Sequence, residues 1–175
     1  DQFEITVLST LGDKYFENSD YINALRSWDK IVSYYPFTPD ALKLSKKMSD
    51  TFVNFFTENR DAQLSHLQAL ALFYEFDKLV PIGEVGDDVV TKFTDHLIAL
   101  DLLDRASALL NHQIKNRLNG NRREKAINKL AKIYLQNNEP VYAVDIIKTG
   151  ESYVTLPDDI AKERRYIHAE ALHKN

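Results

Sequence analysis

Apolar residues recur along the chain at the three- and four-residue intervals of a helix, not at the two-residue interval of a strand. Leu44, Met48, Phe52, Phe55 and Phe56 make one such stripe, and Leu67, Leu70, Ala71 and Tyr74 make another. The second segment also carries Leu72, Phe73 and Phe76 on other sides, as a helix covered by neighbours over most of its surface would. No alternating stretch of useful length occurs. Helices are expected near 2–17, 20–34, 40–57, 63–79, 87–99, 102–118, 122–137 and 140–150. A last helix starts near Asp158, where acidic residues suit the positive end of the helix dipole.

The breakers fit this division. A proline inside a helix costs ~3 kcal/mol and a glycine ~1 kcal/mol. Pro36 and Pro39 bracket one joint, and Pro81, Gly83 and Gly86 form another, with Asp87 or Asp88 capping the helix that follows. Gly120, Pro140, Gly150 and Pro157 mark the later joints. Gly12 alone stands inside a helical pattern. Antiparallel helices approach closely only where the crossing residues are small, and Gly12 with Ala24 meets that need. Leu8, Leu11 and Tyr15 then surround the contact from one helix, Trp28 and Ile31 from the other. Residues 19–21 make the turn, and Pro36 stops the second helix.

These residues resemble the tetratricopeptide repeat, a helix-turn-helix unit of roughly 34 residues. Leu8, Leu11, Gly12, Tyr15, Ala24, Trp28, Ile31 and Pro36 occupy its signature positions across 5–38. Ile127, Leu130, Ala131, Tyr134, Ala143 and Ile147 repeat the register over 124–157, with Thr155 at the family's proline and Gly150 at its usual alanine. A degenerate copy lies at 87–120, with Phe93, Leu97, Ala106 and Leu110; Thr94 stands where Gly12 stood, so looser packing is expected there. Residues 39–80 keep only the hairpin pattern, as a divergent pair. Residues 158–175 look like the opening helix of a further repeat or a capping helix, with Ala169 and Leu172 in its small and large positions. The resemblance implies an all-α fold of antiparallel helix-turn-helix repeats, a tetratricopeptide-like α-solenoid of eight or nine helices. It would form one domain over 1–175, read as a fragment of a longer protein. The phrasing also resembles repeats common in bacterial cell-envelope proteins, which leaves envelope, periplasm and cytoplasm all open.

Composition narrows the chemistry. With 44% hydrophobic and 27% charged residues and a net charge of -4, the chain is globular and not generally basic. It contains no cysteine, so disulfides and thiolate chemistry are excluded. No targeting segment is evident, and no apolar run approaches the ~18 residues of a spanning helix. His66, His96, His112, His168 and His173 form no HExxH pair, and 81–88 lacks the ending of a phosphate loop. No catalytic, cofactor or metal site is expected, and the chain is read as a non-enzyme.

In the tetratricopeptide family the outward positions of each repeat's first helix carry ligand contacts. The resemblance places them at Thr6, Ser9, Thr10, Asp13, Phe16 and Glu17, and at Lys125, Asn128, Lys129, Lys132, Leu135 and Gln136. Lys125, Lys129 and Lys132 share one helical face by spacing alone, either as a cationic strip for an acidic peptide or as a solvated face. Phe16 and Leu135 would act as apolar anchors. The family's carboxylate clamp is not matched, because Ser9 and Asp13 stand where its lysine and asparagine belong, although Lys92 lies on the middle repeat. The expectation is therefore a protein-protein interaction scaffold with a protein or peptide partner. The alternative is RNA or an anionic surface, met by the basic cluster of Lys115, Arg117, Arg122 and Arg123 with the three lysines, opposed only by Glu124. Against it, no aromatic is interleaved before Tyr134, itself expected in the core.

Overall fold

The structure, a computed structural model, describes residues 1–60 and 64–175. Their regular elements are helices: α1 (Gln2–Glu17), α2 (Tyr21–Tyr34), α3 (Pro39–Thr57), α4 (His66–Phe76), α5 (Glu84–Ala99), α6 (Leu103–Asn116), α7 (Gly120–Gln136), α8 (Pro140–Lys148) and α9 (Asp158–Lys174). A single 3-10 turn, Asp77–Leu79, follows α4. The chain divides into two compact units, Asp1–Val89 and Val90–Asn175.

Caps explain several starts. Asp1, Asp20, Thr38 and Ser65 each accept a backbone N–H of the helix they open, and Pro39 sits in the first turn of α3. Ser65 and Gln68 form a reciprocal capping box. The helix expected from 63 therefore starts at His66; Gln63 lies outside the described residues. The expected boundary at 87 was late. Helix α5 begins at Glu84, so Gly86 belongs to its first turn rather than to a joint. Asp87 and Asp88 therefore lie within the helix and not at the position before it, the Asp87 N–H donating to Gly83 O at 3.0 Å. A Cβ at Gly86 would stand 1.8 Å from the Pro81 carbonyl oxygen, which is why a glycine occurs there.

One turn geometry recurs. Ser19, Asp101 and Asn138 have φ of 60°, 58° and 59°. The residue after each donates its N–H to a carbonyl five positions back: Asp20 to Tyr15 at 2.9 Å, Leu102 to Leu97 at 2.9 Å, Glu139 to Tyr134 at 2.7 Å. This is the Schellman closure that satisfies orphan carbonyls at a helix end. The three turns fall at the same place within 5–38, 87–120 and 124–157. Ala24, Ala106 and Ala143, also equivalent within those segments, are all fully buried. The chain is thus an all-α array of antiparallel helix-turn-helix pairs with tetratricopeptide-like turns.

In the first unit α1 packs on α2 and α2 on α3. Gly12 is buried because the Trp28 indole lies against it: a Cβ there would stand 2.3 Å from Trp28 Nε1. Behind this contact the rings of Phe52, Phe55, Phe56 and Phe73 meet edge-on or tilted, with neighbouring centroids 4.9–6.1 Å apart. Such pairs add about 0.5–1.5 kcal/mol each beyond burial. They also correct the expected stripe on α4. Leu67, Ala71 and Tyr74 are exposed, whereas Ala69, Leu72, Phe73 and Phe76 are buried with Leu70. A helix apolar on every side offers no unique stripe, and the aromatic cluster of α3 selects the face bearing Phe73. Leu11 is a second correction. It is 40% exposed and, with half-buried Tyr15, lines an open cleft opposite Arg26 and Glu75, so no apolar surface closes over it.

In the second unit α7 packs against α6 and α8, and α9 packs against both α7 and α8. Ile127, Leu130, Ala131 and Ile147 are buried, as are Phe93, Leu97 and Leu110. Thr94 is fully buried too, its hydroxyl donating to Thr91 O at 2.6 Å. Tyr134, expected in the core, is only half-buried beside Tyr142. Ala169 and Leu172 are exposed, because α9 turns Ile160, Ala161, Arg164, Ile167 and Ala171 inward instead.

Candidate functional site

Helix α3 has two faces. Leu44, Met48, Thr51, Phe52, Phe55 and Phe56 point into the core. Lys43, Lys46, Lys47, Asp50 and Asn54 recur on the opposite side at helical spacing, and with Phe16 of α1 and Arg60 they line a cleft of about 400 Å³. Lys47 crosses to α1: its Nζ is 2.7 Å from Asp13 Oδ1, 4.6 Å from the centre of the Trp28 ring and 5.6 Å from that of Phe16. The Phe16 ring is itself fixed between Tyr21 and Trp28, at 5.7 and 5.8 Å.

Magnitudes show how firmly this is held. Lys47 and Asp13 keep 42% and 46% of their side-chain surface, so their pair stabilises by no more than about 1 kcal/mol. A cation over an aromatic face adds on the order of 0.5–2 kcal/mol. Lys47 is therefore placed but exchangeable. Lys43 and Lys46 are exposed, with no ion pair or hydrogen bond among the described residues. Arg60 is paired with Glu58 at 3.0 Å.

The remaining α1 positions contribute less. Thr6 and Thr10 donate their hydroxyls to their own helix, at Gln2 O and Thr6 O. Ser9 is half-buried and Glu17 exposed, and neither lines this cleft.

The α7 positions divide sharply. Asn128 was expected to face a ligand and is instead 1% exposed, donating Nδ2 to Ile160 O at 3.2 Å and accepting Arg164 Nε at 2.8 Å. Leu135 is buried and belongs to the core, not to an exposed anchor. The physical reason is α9, which covers the part of α7 that the spacing had left open. Glu124 is buried likewise. It accepts Arg164 Nη1 at 2.7 Å and the Glu151 N–H at 3.1 Å, and its carbonyl accepts Arg164 Nη2 at 2.9 Å. It neutralises Arg164 inside the fold rather than opposing the surface lysines.

Lys125, Lys129 and Lys132 do share one cleft, of about 350 Å³, with buried Asn128 at its base and Asp159, Ile160 and Glu163 of α9. Lys129 pairs with Asp95 and donates to Thr91 O at 3.3 Å, and Lys132 pairs with Glu163 at 3.4 Å. Only Lys125 of the three has no such partner among the described residues. Gln136 is exposed and lies outside that cleft. In the basic cluster Arg123 donates to Thr149 O and pairs with Glu124 at 3.4 Å. Arg117 and Arg122 are exposed and engaged in contacts of their own, and Lys115 is exposed.

Titration follows the pairs. The Glu75 carboxyl lies below its ordinary range because it accepts the Arg26 guanidinium through two bonds, of 2.7 and 2.8 Å. The Tyr134 phenol is raised by burial first, then by Glu139 and Tyr142. Among the described residues no three His, Asp or Glu side chains gather as metal ligands would, and no helix is long and apolar enough to cross a membrane.

No family model and no curated protein matches the chain. Among solved structures it is similar to a Podosopora anserina protein described as putative kinesin light chain nearly identical TPR-like repeats. That likeness has 15% identity over 98% of this chain and 86% of the other, with a TM-score of 0.46. It is also similar to the MamA protein, at 17% identity over 99% and 89% of the two chains, with a TM-score of 0.44.

Proposed function

We propose that the chain is a non-enzymatic protein-protein interaction scaffold that receives a segment of its partner in the cleft between α1 and α3. One observation carries this reading: the cleft combines a held aromatic ring, Phe16, with two exposed lysines, Lys43 and Lys46, that have no partner among the described residues. One aromatic ring among charged and amide side chains suits a polar peptide contact. The lysines of α7 are a poorer site, since among the described residues only Lys125 of the three stands without an acidic partner, against both Lys43 and Lys46 here.

A photo-crosslinking residue at Asn54, with Lys162 on α9 as the control position, tests the assignment. A defined protein crosslinked from 54 and not from 162, unchanged by nuclease, supports it. Crosslinks equal at both positions, or only to nucleic acid, overturn it and favour the basic cluster at 115–132.

A further inference from the structure

We infer that the α1–α3 cleft selects acidic peptide segments through side-chain carboxylates, and that Lys47 changes partner when one binds. The inference rests on the interaction reading above and names the chemistry of the partner. Among the described residues the lining holds Lys43, Lys46, Lys47 and Arg60 with Asp50; Asp13 pairs with Lys47 and Glu58 with Arg60, which leaves Lys43 and Lys46 as the local excess. In a chain of net charge -4 such a local excess is not a reflection of composition. Lys43 and Lys46 lie three residues apart on α3 and project from one side, so two carboxylates of an extended segment can be met together.

A peptide fits better than a simple polyanion. Asn54 offers an amide that can both donate to and accept from a peptide backbone, and Phe16 supplies an apolar contact that a bare anion does not use. Lys47 links the site to the core. It is held by Asp13 and lies over the ring of Trp28, the one tryptophan of the chain. A carboxylate arriving beside Lys43 competes with Asp13 for that ammonium. Any shift of Lys47 changes the field on a buried indole, so binding has a built-in optical signal.

The test uses the full chain and a hexapeptide of alternating glutamate and alanine, blocked at both ends so that only side-chain carboxylates act. Trp28 emission and calorimetry are read together. The expected result is a saturable change with the glutamate peptide, none with its glutamine counterpart, and affinity at least about tenfold weaker in Lys43→Glu/Lys46→Glu. Lys125→Glu should bind as the parent does. Lys47→Met should bind the peptide more weakly than the parent and, even at saturating peptide, lose most of the emission change. Far-UV circular dichroism of each variant checks the fold; the charge reversals are at exposed positions.

Equal affinity in the charge-reversal variant, or no saturable binding of the glutamate peptide, overturns the inference. Inorganic tripolyphosphate binding as tightly as the peptide overturns the peptide assignment in favour of a simple anion site. An unchanged emission response in Lys47→Met overturns the exchange. If the glutamate peptide fails while crosslinking from 54 still captures a protein, the acidic class falls and the interaction reading stands. If both fail, both fall.

Discussion

Arg164 of α9 meets Glu124 of α7 at 2.7 Å with 1% and 2% of their side-chain surfaces exposed. Asn128 accepts from Nε and the Glu124 carbonyl from Nη2, so each guanidinium nitrogen has an acceptor inside the fold. Removing one member leaves the other charged and dry. Arg164→Met or Glu124→Leu should each cost about 3–5 kcal/mol. The double replacement should recover much of that loss, since two apolar side chains need no partner. Urea denaturation of the three variants measures the coupling.

Gly150 belongs to the same cluster. A Cβ added there would stand 2.4 Å from Arg164 Nη1 and 2.8 Å from Glu124 Oε2. Gly150→Ala should therefore destabilise by about 1–3 kcal/mol, as overpacking does. In the Glu124→Leu/Arg164→Met background the charged atoms are gone, and the same change should cost well under half as much. Equal cost in both backgrounds would place the effect in the backbone instead.

The hairpins were legible because their signals are local: alanines at the crossings, positive-φ residues at the turns, and caps such as Thr38 and Ser65. Which face of α4 is buried was not, because Leu67 and Phe73 are equally apolar and only the rings of α3 choose between them. The burial of Asn128 on α7 was not legible, for a related reason. Asn128 and Glu124 look like surface residues by type, and their burial depends on Arg164, far away in sequence. Gly150, where the repeat pattern wants alanine, was the one sequence signal of that cluster. The α1–α3 cleft was missed because α3 lacks the repeat signature, although its polar face at 43, 47, 50 and 54 shows plain helical spacing.

The Arg26–Glu75 pair predicts a pH dependence. Both side chains stay more than a third exposed, at 52% and 37%, so water screens the pair and it stabilises by less than about 1 kcal/mol. The folded-state pKa of Glu75 lies below its ordinary value, mainly through the hydrogen bonds from Arg26. Its contribution is thus complete above roughly pH 4.3 and is lost as pH falls through the lower folded value. Glu75→Gln should be slightly less stable than the parent at about pH 7, with the gap narrowing at an acid pH below that ordinary value. Urea midpoints at the two pH values test this; a gap that persists in acid would assign the effect to packing.

Gly12 gives a prediction whose sign reverses with its neighbour. In the parent chain Gly12→Ala drives a methyl group to within 2.3 Å of Trp28 Nε1, and the indole is fully buried with nowhere to retreat. A loss of about 1–3 kcal/mol is expected, with a change in the near-UV signal of that ring. Alanine is nevertheless the better helix former by about 1 kcal/mol, and α1 continues through this position. Once Trp28→Leu has removed the obstructing atoms, Gly12→Ala should therefore stabilise the chain or leave it unchanged. Thermal denaturation of the four chains in this cycle reads both terms. A loss of the same size in both backgrounds would mean that the small residue is required by the α1 backbone and not by the tryptophan.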